Sequence, residues 1–246
     1  MRVLQTAISI LGYSDVRGNN ARLDILDVLL NKAMTENCDL LVLPAGYLRA
    51  RNSGHKNILL SAIATRAQAA KTVAVIGGID TVYPAKRDLE RQARPGRALP
   101  FWGFAILPGQ APRSWQQQSS TGSNATLSNA VSLPARAVPI AGAQVLPLTC
   151  GEMYNHSMRA SVQPGAFRLL ADSAHYNIRR QLSRTMHNLW RQAQCAVLLS
   201  QHVGGKNGHL HFVDAKGNSQ SEAILPKILP NTPIGAPWAS AVARDI

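Results

Sequence analysis

The sequence predicts a single α/β domain built from parallel strand–helix units. Three observations carry that prediction. First, Asp39-Leu40-Leu41-Val42-Leu43-Pro44 and Thr72-Val73-Ala74-Val75-Ile76-Gly77-Gly78 are short, continuous apolar runs without polar alternation, the pattern of strands buried on both faces. Second, helical stretches lie between them, giving the order strand, helix, strand, helix, strand. Third, the chain has 246 residues, 46% of them hydrophobic, enough for one sizeable core.

The elements follow in order. Arg2 to Ile10 is β-rich and reads as a first strand. Asn19 or Asn20 is expected to cap a helix running through Asn37, with an apolar stripe of Leu23, Ile25, Leu26, Val28, Leu29, Leu30 and Ala33. Residues 39–44 form the second strand, Asn57 to Lys71 an alanine-rich helix, and Thr72 to Gly78 a strand ending in glycines. Pro84 to Pro100 is basic and loop-like. Phe101 to Leu107 reads as a strand, Pro108-Gly109 as a turn and Trp115 to Ser120 as the hairpin partner. Thr121 to Asn129 is a polar loop expected to be mobile. Ala137 to Leu148 has strand character, Ala166 to Ala171 is a short apolar run, and Ile178 to Gln194 is a basic amphipathic helix. Cys195 to Ser200 and His209 to Ala215 are β segments, the latter closed by a Lys216-Gly217 turn. Gly77-Gly78 and Gly204-Gly205 are turn glycines outside any phosphate-binding motif. Residues 226–246 are expected to form a proline-rich extended arm on a domain spanning 1–246.

Composition narrows the setting. No stretch approaches the roughly 20 apolar residues of a membrane helix, and the N-terminus lacks the pattern of a secretion signal. Three scattered cysteines, Cys38, Cys150 and Cys195, suit a reduced, cytoplasmic environment. The net charge is +13, from 26 Lys and Arg against 13 Asp and Glu. That charge allows attraction to an acidic partner or to nucleic acid, although no RRM, KH, zinc-finger or basic-zipper pattern is visible.

The segment Val145-Leu146-Pro147-Leu148-Thr149-Cys150-Gly151-Glu152-Met153 ends an apolar run in a thiol, a glycine and a carboxylate. A thiol at the mouth of a buried strand is a candidate nucleophile. Four segments together resemble the nitrilase (carbon–nitrogen hydrolase) superfamily. They are Asp39-Leu40-Leu41-Val42-Leu43-Pro44-Ala45-Gly46-Tyr47-Leu48; Leu148-Thr149-Cys150-Gly151-Glu152; Leu170-Ala171-Asp172-Ser173-Ala174; and Gln194 to Gly204 with Phe212 to Gly217. The resemblance implies a four-layer αββα sandwich assembled as a homodimer or larger homo-oligomer, no cofactor, and a small amide or nitrile-like ligand. It also implies a Glu-Lys-Cys mechanism. The Glu takes the thiol proton, the thiolate forms a thioester, and the Lys stabilises charge on the substrate.

Carried over residue by residue, the nucleophile falls on Cys150. The Glu position, after Pro44, is Ala45, and the Lys position in the hairpin is Gln117. No lysine lies between Lys86 and Lys206. Ala45 cannot accept a proton and Gln117 brings no charge. Candidate substitutes are Glu152 as a base, Arg113 as a cation and His156 as a partner for the thiol. Cys38 and Cys195 precede apolar strands and are expected to be buried and inert. His202, His209 and His211 lack a carboxylate partner, so no metal site is expected. Three functions compete. The first is a degenerate nitrilase-type protein, catalytically impaired or non-catalytic, that binds a ligand or partner. The second is a thiol-dependent amidase or nitrilase, either with a rewired site or with Ala45 as an engineered substitution. The third is a basic, nucleic-acid-associated accessory protein.

Overall fold

A computed structural model describes residues 1–9, 16–81, 101–118, 131–176, 182–203, 209–223 and 239–246. Among the described residues, thirteen strands form one continuous sheet. In chain order these are β1 (Arg2–Ser9), β2 (Leu40–Val42), β3 (Leu48–Ala50), β4 (Ala74–Thr81), β5 (Phe101–Ile106), β6 (Arg113–Gln116), β7 (Val138–Ile140), β8 (Ala143–Thr149), β9 (Leu169–Tyr176), β10 (Ala196–Val203), β11 (His209–Val213), β12 (Ser219–Ala223) and β13 (Ala239–Asp245). The helices are α1 (Asn19–Thr35), α2 (Ser53–Ala69), α3 (His156–Ala160) and α4 (Leu182–Ala193).

The strand order is β6-β5-β4-β2-β1-β10-β9-β8-β7, with β3 on β4, β13 on β1 and the β11–β12 hairpin on β10. The two halves of the sheet join where β1 and β10 run parallel, through Ala7↔Gln201, Ile8↔His202 and Ser9↔Val203. Away from that seam the sheet curls back on itself. Val42, Ile76 and Trp115 of the first half then pack against Val145, Ala171, Leu198 and Phe212 of the second. The outer face of the first half is covered by α1 and α2, through Leu26, Leu29, Ile63 and Ala67. The outer face of the second is covered by α4, through Met186 and Leu189. These three apolar interfaces are those of a four-layer αββα arrangement. Strands β8, β9, β10, β1, β2 and β4 are mutually parallel, so their C-terminal ends open on the same side, where parallel sheets place their binding sites.

Several elements differ from expectation for identifiable reasons. Asn19 does not cap α1, whose N-cap is Gly18 without a side-chain bond. Instead Asn19 braces β3: its Nδ2 donates to the Arg49 carbonyl (2.7 Å) and its Oδ1 accepts from the Arg49 N–H (2.9 Å). Helix α2 begins earlier than expected because Asn52 caps it, accepting from the His55 N–H at 2.9 Å. The apolar stretch Ala137 to Leu148 is two strands, because Ala141 and Gly142 both take positive φ (46° and 76°) and reverse the chain in a two-residue turn. The end of the expected C-terminal arm is strand β13, paired antiparallel with β1 from Arg2↔Asp245 to Ile8↔Ala239. The expected loops at Pro84 to Pro100 and Thr121 to Asn129, the glycines 204–205 and the proline-rich stretch 226–238 lie outside the described residues.

Candidate active site

Strand β8 delivers Cys150 to the C-terminal rim of the sheet, where the chain breaks into a 3-10 turn, Cys150–Tyr154. Cys150 has φ +51°, a left-handed conformation costly for a residue with a Cβ. The turn is held by a reciprocal cap. The Thr149 hydroxyl accepts from the Glu152 N–H, and the Glu152 carboxylate accepts from the Thr149 N–H at 2.8 Å. Glu152 also accepts from the Gln118 N–H (2.7 Å) and from Arg136 Nη1 (2.7 Å). Both side chains of that ion pair are 0% exposed. Trp115 Nε1 donates to the Thr149 hydroxyl at 3.1 Å. Glu152 therefore spends its oxygens on holding the Cys150 turn in shape.

The neighbouring strand supplies the group that does face the thiol. Strands β8 and β9 are parallel, with Thr149 opposite Ser173. Because β9 continues past that pair, His175 comes level with Cys150. The half-buried thiol lies in the field of His175, whose charge, side chain and backbone N–H all favour its thiolate form. His175 Nε2 lies 2.9 and 3.0 Å from the two carboxylate oxygens of Asp80. Asp80 is buried near the end of β4, so the two half-sheets meet through this bond. The Phe101 ring packs on the imidazole, with centroids 4.4 Å apart, and Arg49 Nη2 lies 3.8 Å from Asp80.

The charges reinforce one another. Burial alone pulls the His175 imidazolium down, but the Asp80 carboxylate and the Cys150 thiolate outweigh it and push its pKa up to about 10. Burial pushes the Cys150 thiol up, yet the His175 charge and hydrogen bonds win, so it ends below the ordinary thiol value. Beneath the turn, Asp172 is fully buried. Burial first, then the charges of Cys150 and Glu152, hold its carboxyl well above the ordinary range.

Ala45 is fully buried beside this pair. Its carbonyl accepts from His202 Nε2 at 3.0 Å and its N–H donates to the Ala174 carbonyl at 3.2 Å. Burial, then the Arg22 charge, pulls the His202 pKa down to about 3, so this histidine is a neutral donor that buttresses the Ala45 backbone. The next residue, Gly46, has φ +59°, and a Cβ there would lie 2.5 Å from Asp80 Oδ2. The Asp80 carboxylate thus rests against the backbone next to position 45, where the sequence lacks an acidic side chain.

The remaining sequence candidates lie elsewhere. Arg113 is exposed and donates to the carbonyls of Ala137 and Ala135 (3.1 and 2.6 Å). His156 is exposed at the start of α3. Cys38 and Cys195 are buried. Burial raises the Cys38 thiol and pushes Cys195 up to about 12. His202 is in the core and His211 is half-buried on β11, while the His209 side chain lies outside the described residues. Among the described residues no group of three or more His, Cys, Asp or Glu is placed to hold a metal ion, and no helix is long and apolar enough to cross a membrane. Gln117 is buried at the end of the β5–β6 hairpin, its N–H donating to the Phe101 carbonyl at 2.9 Å. Sequence reasoning missed His175 and Asp80. Each lies just beyond an expected buried run, at the strand end where a parallel sheet presents its chemistry.

No protein-family model and no curated protein matches the sequence. Solved structures do match. A CN-hydrolase superfamily protein from Xanthomonas campestris, with an arsenic adduct in its active site, aligns at TM-score 0.65 and 15% identity, covering 98% of this chain and 90% of that one. An amidase from Nesterenkonia sp. aligns at TM-score 0.65 and 14% identity, with the same coverage. The chain has the carbon–nitrogen hydrolase fold. A variant of the Nesterenkonia amidase, with acrylamide added to its active-site cysteine, aligns on this fold at TM-score 0.64 and 12% identity, covering 97% and 92% of the two chains. In this chain the cysteine at the end of β8 lies beside His175, which in turn binds Asp80.

Proposed function

We propose that the protein is a thiol-dependent hydrolase of amide carbon–nitrogen bonds whose nucleophile, Cys150, is activated by His175 and oriented through Asp80. The observation that supports it most is the placement of His175 between the Cys150 thiol and the Asp80 carboxylate, with Nε2 2.9 and 3.0 Å from the two oxygens. A cysteine paired with an imidazole that a third group orients is a recurring solution to nucleophile activation. This departs from the expectation that Ala45 and Gln117 leave Cys150 without activation. Asp80 brings a carboxylate to the site from β4, and His175 brings the cation from β9.

In this reading His175 holds the thiol proton and Cys150 stands as a thiolate. Its sulfur attacks the amide carbon. His175 returns the proton to the departing nitrogen as the carbon–nitrogen bond breaks, leaving a thioester. Water, its proton taken by His175, then releases the acid and restores the thiolate. Asp80 stays ionised and fixes the ring.

The test is ammonia release from a panel of short aliphatic amides. Wild-type protein is expected to turn over at least one of them, with activity falling by about 10³-fold or more in Cys150→Ala and in His175→Ala. Turnover that survives Cys150→Ala, or its absence from wild type across the panel, would overturn the proposal.

A further inference from the structure

We infer that the outer surface of the second half-sheet, centred on Arg184 and Arg191 of α4 and extended by Arg168, binds the phosphate backbone of nucleic acid without reading its sequence. This surface is independent of the chemistry proposed for Cys150.

The charge on this surface has one sign. From 131 to 213 the chain carries two carboxylates, Glu152 and Asp172, and both are buried. Arg168, Arg184 and Arg191 are exposed. Helix α4 buries Leu182, Met186, Leu189 and Ala193, so positions 184 and 191 fall on its opposite side, about 10.5 Å apart along the axis. Arg168 joins them from the chain entering β9. That segment is fastened to the end of α4, where the Gly165 N–H donates to the Ala193 carbonyl at 2.9 Å. Among the described residues, none of the three guanidiniums has an ion pair or a hydrogen bond. The outer layer of the first half-sheet differs: there Lys32 pairs with Glu36, and Arg66 with Asp27 at 3.2 Å.

The chemistry of the surface selects the partner. Nucleic-acid phosphates form a line of negative charge, and guanidiniums bind phosphate through paired hydrogen bonds. An acidic lipid surface would be attracted too, but holding it takes apolar side chains that enter the acyl boundary. Among the described residues, the exposed large hydrophobics are Val28 and Met34 on α1, Ile58 on α2, and Val131, so α4 presents none. Its half-buried Trp190 is already engaged: Nε1 donates to the Ala215 carbonyl at 3.2 Å, and a Cβ at Gly217 would lie 2.6 Å from the ring. A folded protein partner would need an apolar centre to the interface. A second copy of this face would set guanidinium against guanidinium. A polyanion needs only the charge.

Fluorescence anisotropy with a labelled mixed-sequence oligonucleotide, single-stranded and duplex, tests this across a salt titration. Both forms are expected to bind wild type, with affinity falling steeply between about 50 and about 200 mM salt. Arg184→Ala/Arg191→Ala should reduce the slope of log Kd against log salt by about 2, and adding Arg168→Ala by about 1 more. Arg51→Ala/Lys71→Asn removes the same charge from exposed positions just before and just after α2, and should leave the slope unchanged. Urea midpoints of all the variants should match wild type, because the side chains removed are exposed. Three results would each overturn the inference: no binding by wild type at low salt, equal loss in the two double variants, or binding confined to vesicles of phosphatidylserine and phosphatidylcholine.

Discussion

Gly46→Ala probes the site through its backbone. Gly46 has φ +59°, and a Cβ there would stand 2.5 Å from Asp80 Oδ2, 2.7 Å from Cγ and 3.0 Å from Oδ1. Ordinary contact begins near 3.4 Å, so the carboxylate must retreat by about 1 Å. Its bonds to His175, now 2.9 and 3.0 Å, then lengthen beyond hydrogen-bonding range. Two costs combine: about 1–2 kcal/mol for a left-handed alanine and about 1.5–3 kcal/mol for the charged hydrogen bond. Gly109→Ala is the control, since Gly109 also has positive φ (+69°) but a Cβ there meets nothing within 4 Å. Denaturant unfolding should show Gly46→Ala less stable than Gly109→Ala by about 2 kcal/mol, the hydrogen-bond share alone. A thiol returned to its ordinary pKa is only a few per cent thiolate at pH 7, so iodoacetamide alkylation of Cys150 should slow by up to roughly 30-fold in Gly46→Ala and stay unchanged in Gly109→Ala. Equal stability and equal alkylation in the two variants would refute the packing of Asp80 against Gly46.

Further outcomes follow from the same geometry. Glu152→Gln leaves the buried Arg136 charge unpaired and turns an amide N–H toward donors already aimed at the carboxylate. Urea unfolding should show a loss of about 3–5 kcal/mol; a fully stable variant that had lost only thiol reactivity would instead make Glu152 the base. His202 is neutral in the folded protein down to about pH 3, whereas the unfolded chain takes up its proton near 6.5. Its stabilising contribution is thus present above 6.5 and is lost as pH falls toward 3, at up to about 1.4 kcal/mol per pH unit. His202→Gln should flatten that slope, and an unchanged slope would contradict the assignment. Iodoacetamide at neutral pH should label Cys150 well before Cys38 or Cys195, as peptide mapping would show; simultaneous labelling would contradict the contrast between a charge-stabilised thiolate and two buried thiols.

The sequence made the layers legible and hid the partners of Cys150. Continuous apolar runs such as Leu40-Leu41-Val42 announce strands buried on both faces, and these pack as expected. Elements set by tertiary bonds were harder to see: Asn19 carries a capping signature but braces Arg49, and the Ala141-Gly142 reversal interrupts what reads as one strand. At the site, Cys150 stood out because its neighbours in sequence form a strand end. His175 and Asp80 did not, since they lie 25 and 70 positions away and only the curled sheet brings them together. Glu152 looked catalytic because it is near Cys150 in sequence, yet the capping box and Arg136 claim its oxygens.

The most direct measurement is the pH dependence of iodoacetamide alkylation at Cys150 in wild type and His175→Ala. If His175 holds the thiolate, the wild-type inflection lies below the ordinary thiol value of 9.0. Removing the imidazole leaves burial unopposed, so the variant's inflection should move to that value or above. Superimposable profiles would contradict the account.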